Sequence, residues 1–179
     1  DDANFIFDFA CNKIFKTEII RTYNVRFDED KRVWEDRTFL LRHLRHCQSY
    51  YCMDQCFYNY FYTPNSLSDR YDLSFFRIIL ANYRHYKELF EDQFEFDTQY
   101  SCNHWSRSIE NMIFRSLNQA ENQEQIRQNI LAALQDEQVV HWFSRRECAS
   151  YFEEKVSALI VAGNIAEALK LCEKEHKRR

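Results

Sequence analysis

The alternation of apolar and polar residues changes character near residue 68. Ahead of that point the apolar residues come in short runs. Phe5 to Ala10, broken only by Asp8, predicts a strand. Lys16 to Tyr23 predicts a short helix ending near Asn24, Val25 to Phe27 an extended turn, and Asp28 to Arg32 a charged loop. Glu35 to Cys47 predicts a longer helix, because Leu40, Leu44 and Cys47 share a face at helical spacing. Ser49 to Met53 and Phe57 to Tyr62 are dense in aromatic residues and predict two strands of a hairpin turning near Asp54-Gln55. A turn follows at Thr63-Pro64-Asn65-Ser66, where Pro64 pushes Thr63 to an extended shape.

Beyond Ser68 every stretch reads as helix. The apolar stripes are Leu73, Phe76, Leu80, Tyr83 and Phe90, then Trp105, Ile109, Met112, Ile113 and Leu117, then Ile126, Ile130, Leu131 and Leu134. A shorter piece spans Val139 to Phe143, and two further stripes are Phe152, Val156, Leu159, Ile160 and Ile165, Ala168, Leu169, Cys172. Ser150 with Glu153, and Asn164 with Glu167, have the spacing of capping boxes. Gly163 stands where a left-handed C-cap would fall, so Ser150 to Ala162 and Ile165 to His176 predict a helical hairpin. The expected class is α+β, mostly α: about three strands within residues 1–68, then five or six helices over 69–179. Three strands are few for this aromatic content, so the sheet is expected to be a remnant of a larger one.

Composition removes several alternatives. With one Gly and one Pro, a sandwich or barrel of many tight turns is disfavoured and a Gly-rich phosphate loop is excluded. The net charge is -4 and the only basic run is the tail from Lys174 to Arg179, so nucleic acid is not an expected partner. No apolar run reaches the roughly 18 residues of a membrane span, and no signal pattern opens the chain. The expected location is cytoplasmic, with peripheral contact at the inner membrane face left open. Seven cysteines, odd in number and irregular in spacing, fit reduced thiols better than a disulfide scaffold. The start at Asp1-Asp2-Ala3 suggests a piece of a longer polypeptide.

The candidate chemistry gathers at Trp34-Glu35-Asp36-Arg37-Thr38-Phe39. Two adjacent carboxylates open a helical pattern, where free amides and the helix dipole favour an anion. A solvated helix cap would look the same. Trp34 suits either a stacking floor for a ligand or core packing. His43, His46, Cys47, Cys52 and Cys56 invite a zinc site, but their spacing is not that of a structural zinc site. Buried free cysteines and surface histidines fit them better.

Taken in order, Asn12-Lys13-Ile14-Phe15, Val25-Arg26-Phe27-Asp28-Glu29, Trp34-Glu35-Asp36, Tyr58-Asn59-Tyr60 and Asn65-Ser66-Leu67-Ser68 resemble family 2 glycosyltransferases of bacteria. These are inverting enzymes of GT-A fold that build surface polysaccharides. The resemblance covers Phe7 to about Ser68. It implies Asp36 as general base with Glu35 in support, and Asn12, Lys13 and Trp34 as substrate-binding residues. It also implies a nucleotide-sugar donor, a glycan or lipid-linked acceptor, and a divalent metal (Mg or Mn) in the full-length enzyme. The donor-binding half and its Asp-x-Asp pair have no counterpart here. Asp28-Glu29-Asp30 follows the Asn-Lys-Ile-Phe piece, the wrong place for it, and Phe61 and Thr63 stand where many members carry Arg and His. The expectation is therefore an acceptor-side portion (1–68) with a helical C-terminal domain (69–179), holding no metal and inactive alone. The rival expectation is a helical protein–protein or membrane-surface interaction module without catalysis; a zinc-bound regulatory module ranks third. A truncated sheet edge would also favour self-association.

Overall fold

Two carboxylates open the longest helix in the first part of the chain, and the apolar residues behind them build its core. The computed structural model describes residues 9–29, 34–55, 57–59, 61, 74–92, 95–119 and 121–178. The chain divides into two compact units, Asp1–Pro64 and Asn65–Arg179. In the first, α1 (Thr17–Thr22) and α2 (Glu35–Leu44) are the two helices among the described residues. Thr38, Phe39, Leu40 and His43 of α2 are buried, with Val25 from the preceding turn. Phe27 stacks on Phe39 at 4.2 Å between ring centroids, and Phe15 meets the same ring edge-on at 5.2 Å. Arg42 ties α2 to the charged loop through Asp28 Oδ1 at 2.5 Å and the Arg26 carbonyl at 3.3 Å.

The expected sheet is not there. Among the described residues the secondary structure is eight helices and no strand, so the α+β class with its remnant GT-A sheet is corrected to all-α. Ser49 to Met53 runs as coil, the chain bends at Asp54-Gln55, and Phe57 to Asn59 and Phe61 again form no ladder. Phe9 and Ala10 lie outside any strand; residues 5–8 of that predicted strand, and the turn at Thr63 to Ser66, fall outside the described residues. The physical reason is that aromatic density reports a fit to a half-buried pleated surface, and the surface itself comes from a partner strand. Here Tyr50, Tyr51, Phe57 and Phe61 are exposed instead of sharing one buried face.

The second unit holds α3 (Phe75–Phe90), α4 (Gln99–Leu117), α5 (Gln123–Leu134), α6 (Glu137–Arg145), α7 (Tyr151–Val161) and α8 (Ile165–His176). Helix α4 is the hub and packs against α3, α5, α6 and α8. Residues of every stripe read from the sequence supply this core, Leu73 lying outside the described residues. Ile109 and Ile113 of α4, Ile126 and Ile130 of α5, Val139 and Trp142 of α6, Ile160 of α7 and Leu169 of α8 are all buried. Tyr83, Trp105 and Trp142 form one aromatic cluster, with centroids 4.9 to 5.6 Å apart. Offset and edge-on ring pairs of this kind add about 0.5–1.5 kcal/mol beyond their buried area. Gly163 closes α7 at φ +77°, with its N–H donating to the Ile160 carbonyl and the Asn164 N–H to that of Leu159. This is a Schellman cap. No helix among the described residues is long and apolar enough to cross a membrane.

Candidate active site at the start of helix α2

The residues around α2's first turn are set by backbone geometry. Trp34, the N-cap, takes φ 63° and ψ 21°. Glycine is the residue that adopts this left-handed conformation freely; a bulky side chain does so at a cost of about 1–2 kcal/mol. The Trp34 carbonyl accepts the Thr38 N–H at 3.0 Å and the Thr38 hydroxyl at 3.1 Å. The Arg37 guanidinium lies 5.9 Å from the centre of the indole. Glu35 and Asp36 then occupy the first turn, where no N-cap side chain satisfies the helix amides.

Asp36 is half-buried and Oδ2 accepts the Ala10 N–H at 3.2 Å. Among the described residues that amide is its one hydrogen-bond donor. The bond spans 26 positions and joins the start of α2 to the turn that carries Asn12 and Lys13. Lys13 Nζ donates to Asn12 Oδ1 at 2.7 Å and also to the Phe9 carbonyl. Asn12 is exposed and Lys13 partly so. Of the five residues singled out in the sequence, Trp34, Glu35 and Asp36 are contiguous, and Asn12 and Lys13 sit in the turn fastened to them. Sequence reasoning missed the Ala10 amide, because a backbone donor leaves no mark in residue type.

The two histidines among the imagined zinc ligands make other ring contacts. His46 stacks on Tyr23 with 3.6 Å between ring centroids. His43, expected at the surface, is 4% exposed; it belongs to the face of α2 that also carries Phe39, three and four positions being neighbours on a helix. Cys52 is exposed, and Cys56 lies outside the described residues. Among the described residues no three His, Cys, Asp or Glu side chains converge as a metal site, and Asp28 is held by Arg42. The described residues therefore offer no ligand set for a divalent ion of the implied kind.

The helical unit has its own polar feature. Arg146, its side chain 1% exposed, places Nη1 and Nη2 each 3.2 Å from Glu110 Oε2, and Nη2 3.2 Å from Glu153 Oε1. A cavity of about 220 Å³ beside these groups is also lined by Arg107, Asn111, Phe114 and Ser150. Comparison of the chain with protein-family models, curated proteins and solved structures finds no significant match in any of the three.

Proposed function

We propose that this chain supplies the acceptor side and the general base of an inverting sugar transfer from a nucleotide-sugar to a glycan or lipid-linked hydroxyl. The base is Asp36. It takes the proton from the acceptor hydroxyl, and that oxygen attacks the anomeric carbon from the face opposite the nucleoside diphosphate. Proton removal in the transition state contributes typically about 10²–10⁴-fold. Glu35 keeps the local field negative, and Asn12, Lys13 and Trp34 contact substrate. The donor cradle, with its metal, is contributed by polypeptide other than these 179 residues. In this role the protein works in the cytoplasm, where contact at the inner membrane face would bring it to lipid-linked acceptors.

One observation carries this reading: Asp36 is part-buried at a helix start and fastened to the turn bearing Asn12 and Lys13, so two separate pieces of the resemblance meet at one carboxylate. That support is independent of any sheet. The test is Asp36→Asn in the longer polypeptide. An asparagine Oδ1 still accepts the Ala10 N–H, so the fold and donor binding are expected to persist while transfer falls by at least about 100-fold. Near-normal turnover would sink the assignment.

A second reading rests on a different feature. Tyr50 (70%), Tyr51 (87%), Phe57 (74%) and Phe61 (82%) are exposed within one short segment. Large exposed apolar patches mark interaction surfaces, so a docking module without catalysis is the alternative. Loss of partner capture on replacing these aromatics by serine, with Asp36→Asn silent, would favour it.

A further inference from the structure

Helix α2 carries a second reactive arrangement at its opposite end, which does not depend on sugar transfer. His43 Nε2 lies 3.4 Å from the Lys16 carbonyl oxygen. A carbonyl only accepts, so Nε2 bears the ring proton in the neutral imidazole and Nδ1 keeps its lone pair. That lone pair faces Cys47 Sγ at 3.3 Å. Phe15 meets the imidazole edge-on at 5.0 Å and helps fix its plane. The sulfur also lies 3.4 Å from the His43 carbonyl. The carbonyl can hold the thiol proton but only Nδ1 can take it. A nucleophile, a base beside it and a third group orienting the base is the arrangement that activates thiols.

Access is open. Cys47 borders a surface depression of about 530 Å³ lined also by Leu44, Gln48, Ser49 and Tyr50. The C-terminal end of a helix disfavours an isolated anion, but transfer to Nδ1 creates a neutral thiolate–imidazolium pair, which offsets that field. We propose that Cys47 is a reactive thiol, activated by His43, that forms mixed disulfides with small disulfides entering this depression. The proton moves from Sγ to Nδ1. Sγ attacks one sulfur of R–S–S–R, the S–S bond breaks, and one half stays on Cys47. The other half leaves as thiolate and takes the proton from Nδ1, departing as R–SH. Cys47 is oxidised and the departing half of the small disulfide is reduced.

The chain provides its own controls, since Cys11 and Cys52 are exposed while Cys47 is partly covered. The folded protein is incubated with oxidised glutathione at pH 7, and modification of each cysteine is followed in time by peptide mass spectrometry. Cys47 is expected to react on the order of tenfold faster than Cys11 and Cys52, and His43→Gln to bring it down to their rate or below. A Cys47 no faster than the two open thiols overturns the proposal, as does a folded His43→Gln protein in which Cys47 stays fast. Should His43→Gln fail to fold, the wild-type ranking decides, and that ranking is expected to vanish in denaturant.

Discussion

Gly163 adopts φ +77°, and nothing lies within 4 Å of where a Cβ would stand. Gly163→Ala therefore costs only its left-handed backbone, about 1 kcal/mol, to be read as a lower midpoint in thermal unfolding. Asp97 tests a different kind of dependence. Burial pushes its carboxyl up, but the Tyr83 hydroxyl bond and the Lys87 charge outweigh burial and hold it below the usual value. A lowered carboxylate stabilises the fold above its unfolded value near 3.8, and that stability is lost as pH falls through the folded value below it. The melting difference between wild type and Asp97→Asn should be largest above pH ~4 and shrink toward pH ~2. Equal differences across that range would count against the Tyr83–Asp97 tie. Cys172 is a contrasting thiol: burial, with the Glu110 and Glu173 charges, pushes it up to about 12, so it should resist alkylation until the protein is unfolded.

The N-caps of α7 and α8 differ, although the sequence writes them alike. Ser150 Oγ accepts the Glu153 N–H at 3.2 Å, and Glu153 Oε2 accepts the Ala149 N–H at 2.6 Å. The reciprocal bond thus goes to the amide one residue before the N-cap, a variant of the usual box. Asn164 makes no side-chain cap bond at the start of α8. Ser150→Ala should cost about 1 kcal/mol and Asn164→Ala measurably less; equal losses in denaturant unfolding would refute this difference. Glu153 does a second task, since it joins Glu110 in holding Arg146 where the chain leaves α6. Arg146→Met removes the buried cation that both carboxylates contact. Breaking a buried pair this way typically costs about 3–5 kcal/mol, and a loss under about 1 kcal/mol would show that the pair is more solvated than its burial suggests.

The two units have different characters as wholes. Asn65–Arg179 buries the Tyr83–Trp105–Trp142 cluster and apolar residues from all six of its helices within itself, so residues 65–179 alone should give a cooperative helical melt. A broad, non-cooperative transition would contradict this. Asp1–Pro64 leaves Tyr50, Tyr51, Phe57 and Phe61 exposed. Self-association through a sheet edge has no edge to use among the described residues, and these exposed aromatics are the surface that would carry it. Sedimentation should show association that weakens on replacing them by serine.

The helices were legible because burial at a period of 3.6 is written locally: each stripe such as Ile165, Ala168, Leu169 and Cys172 names its own buried face. The Gly163 cap was legible for the same reason, since one residue type suits a left-handed backbone. The strands were misread because pairing is a relation to another segment, and aromatic content at Ser49 to Met53 and Phe57 to Tyr62 says nothing of whether that segment is adjacent. Residue type placed Glu35 and Asp36 at a helix start, and tertiary contact alone tied Asp36 to Ala10, 26 positions away, and turned His43 inward to Lys16, 27 away. Sequence thus determined what each stretch could bury or cap by itself. Which distant groups meet was decided only when the chain folded, because hydrogen-bond partners across such separations are selected by packing rather than by residue type.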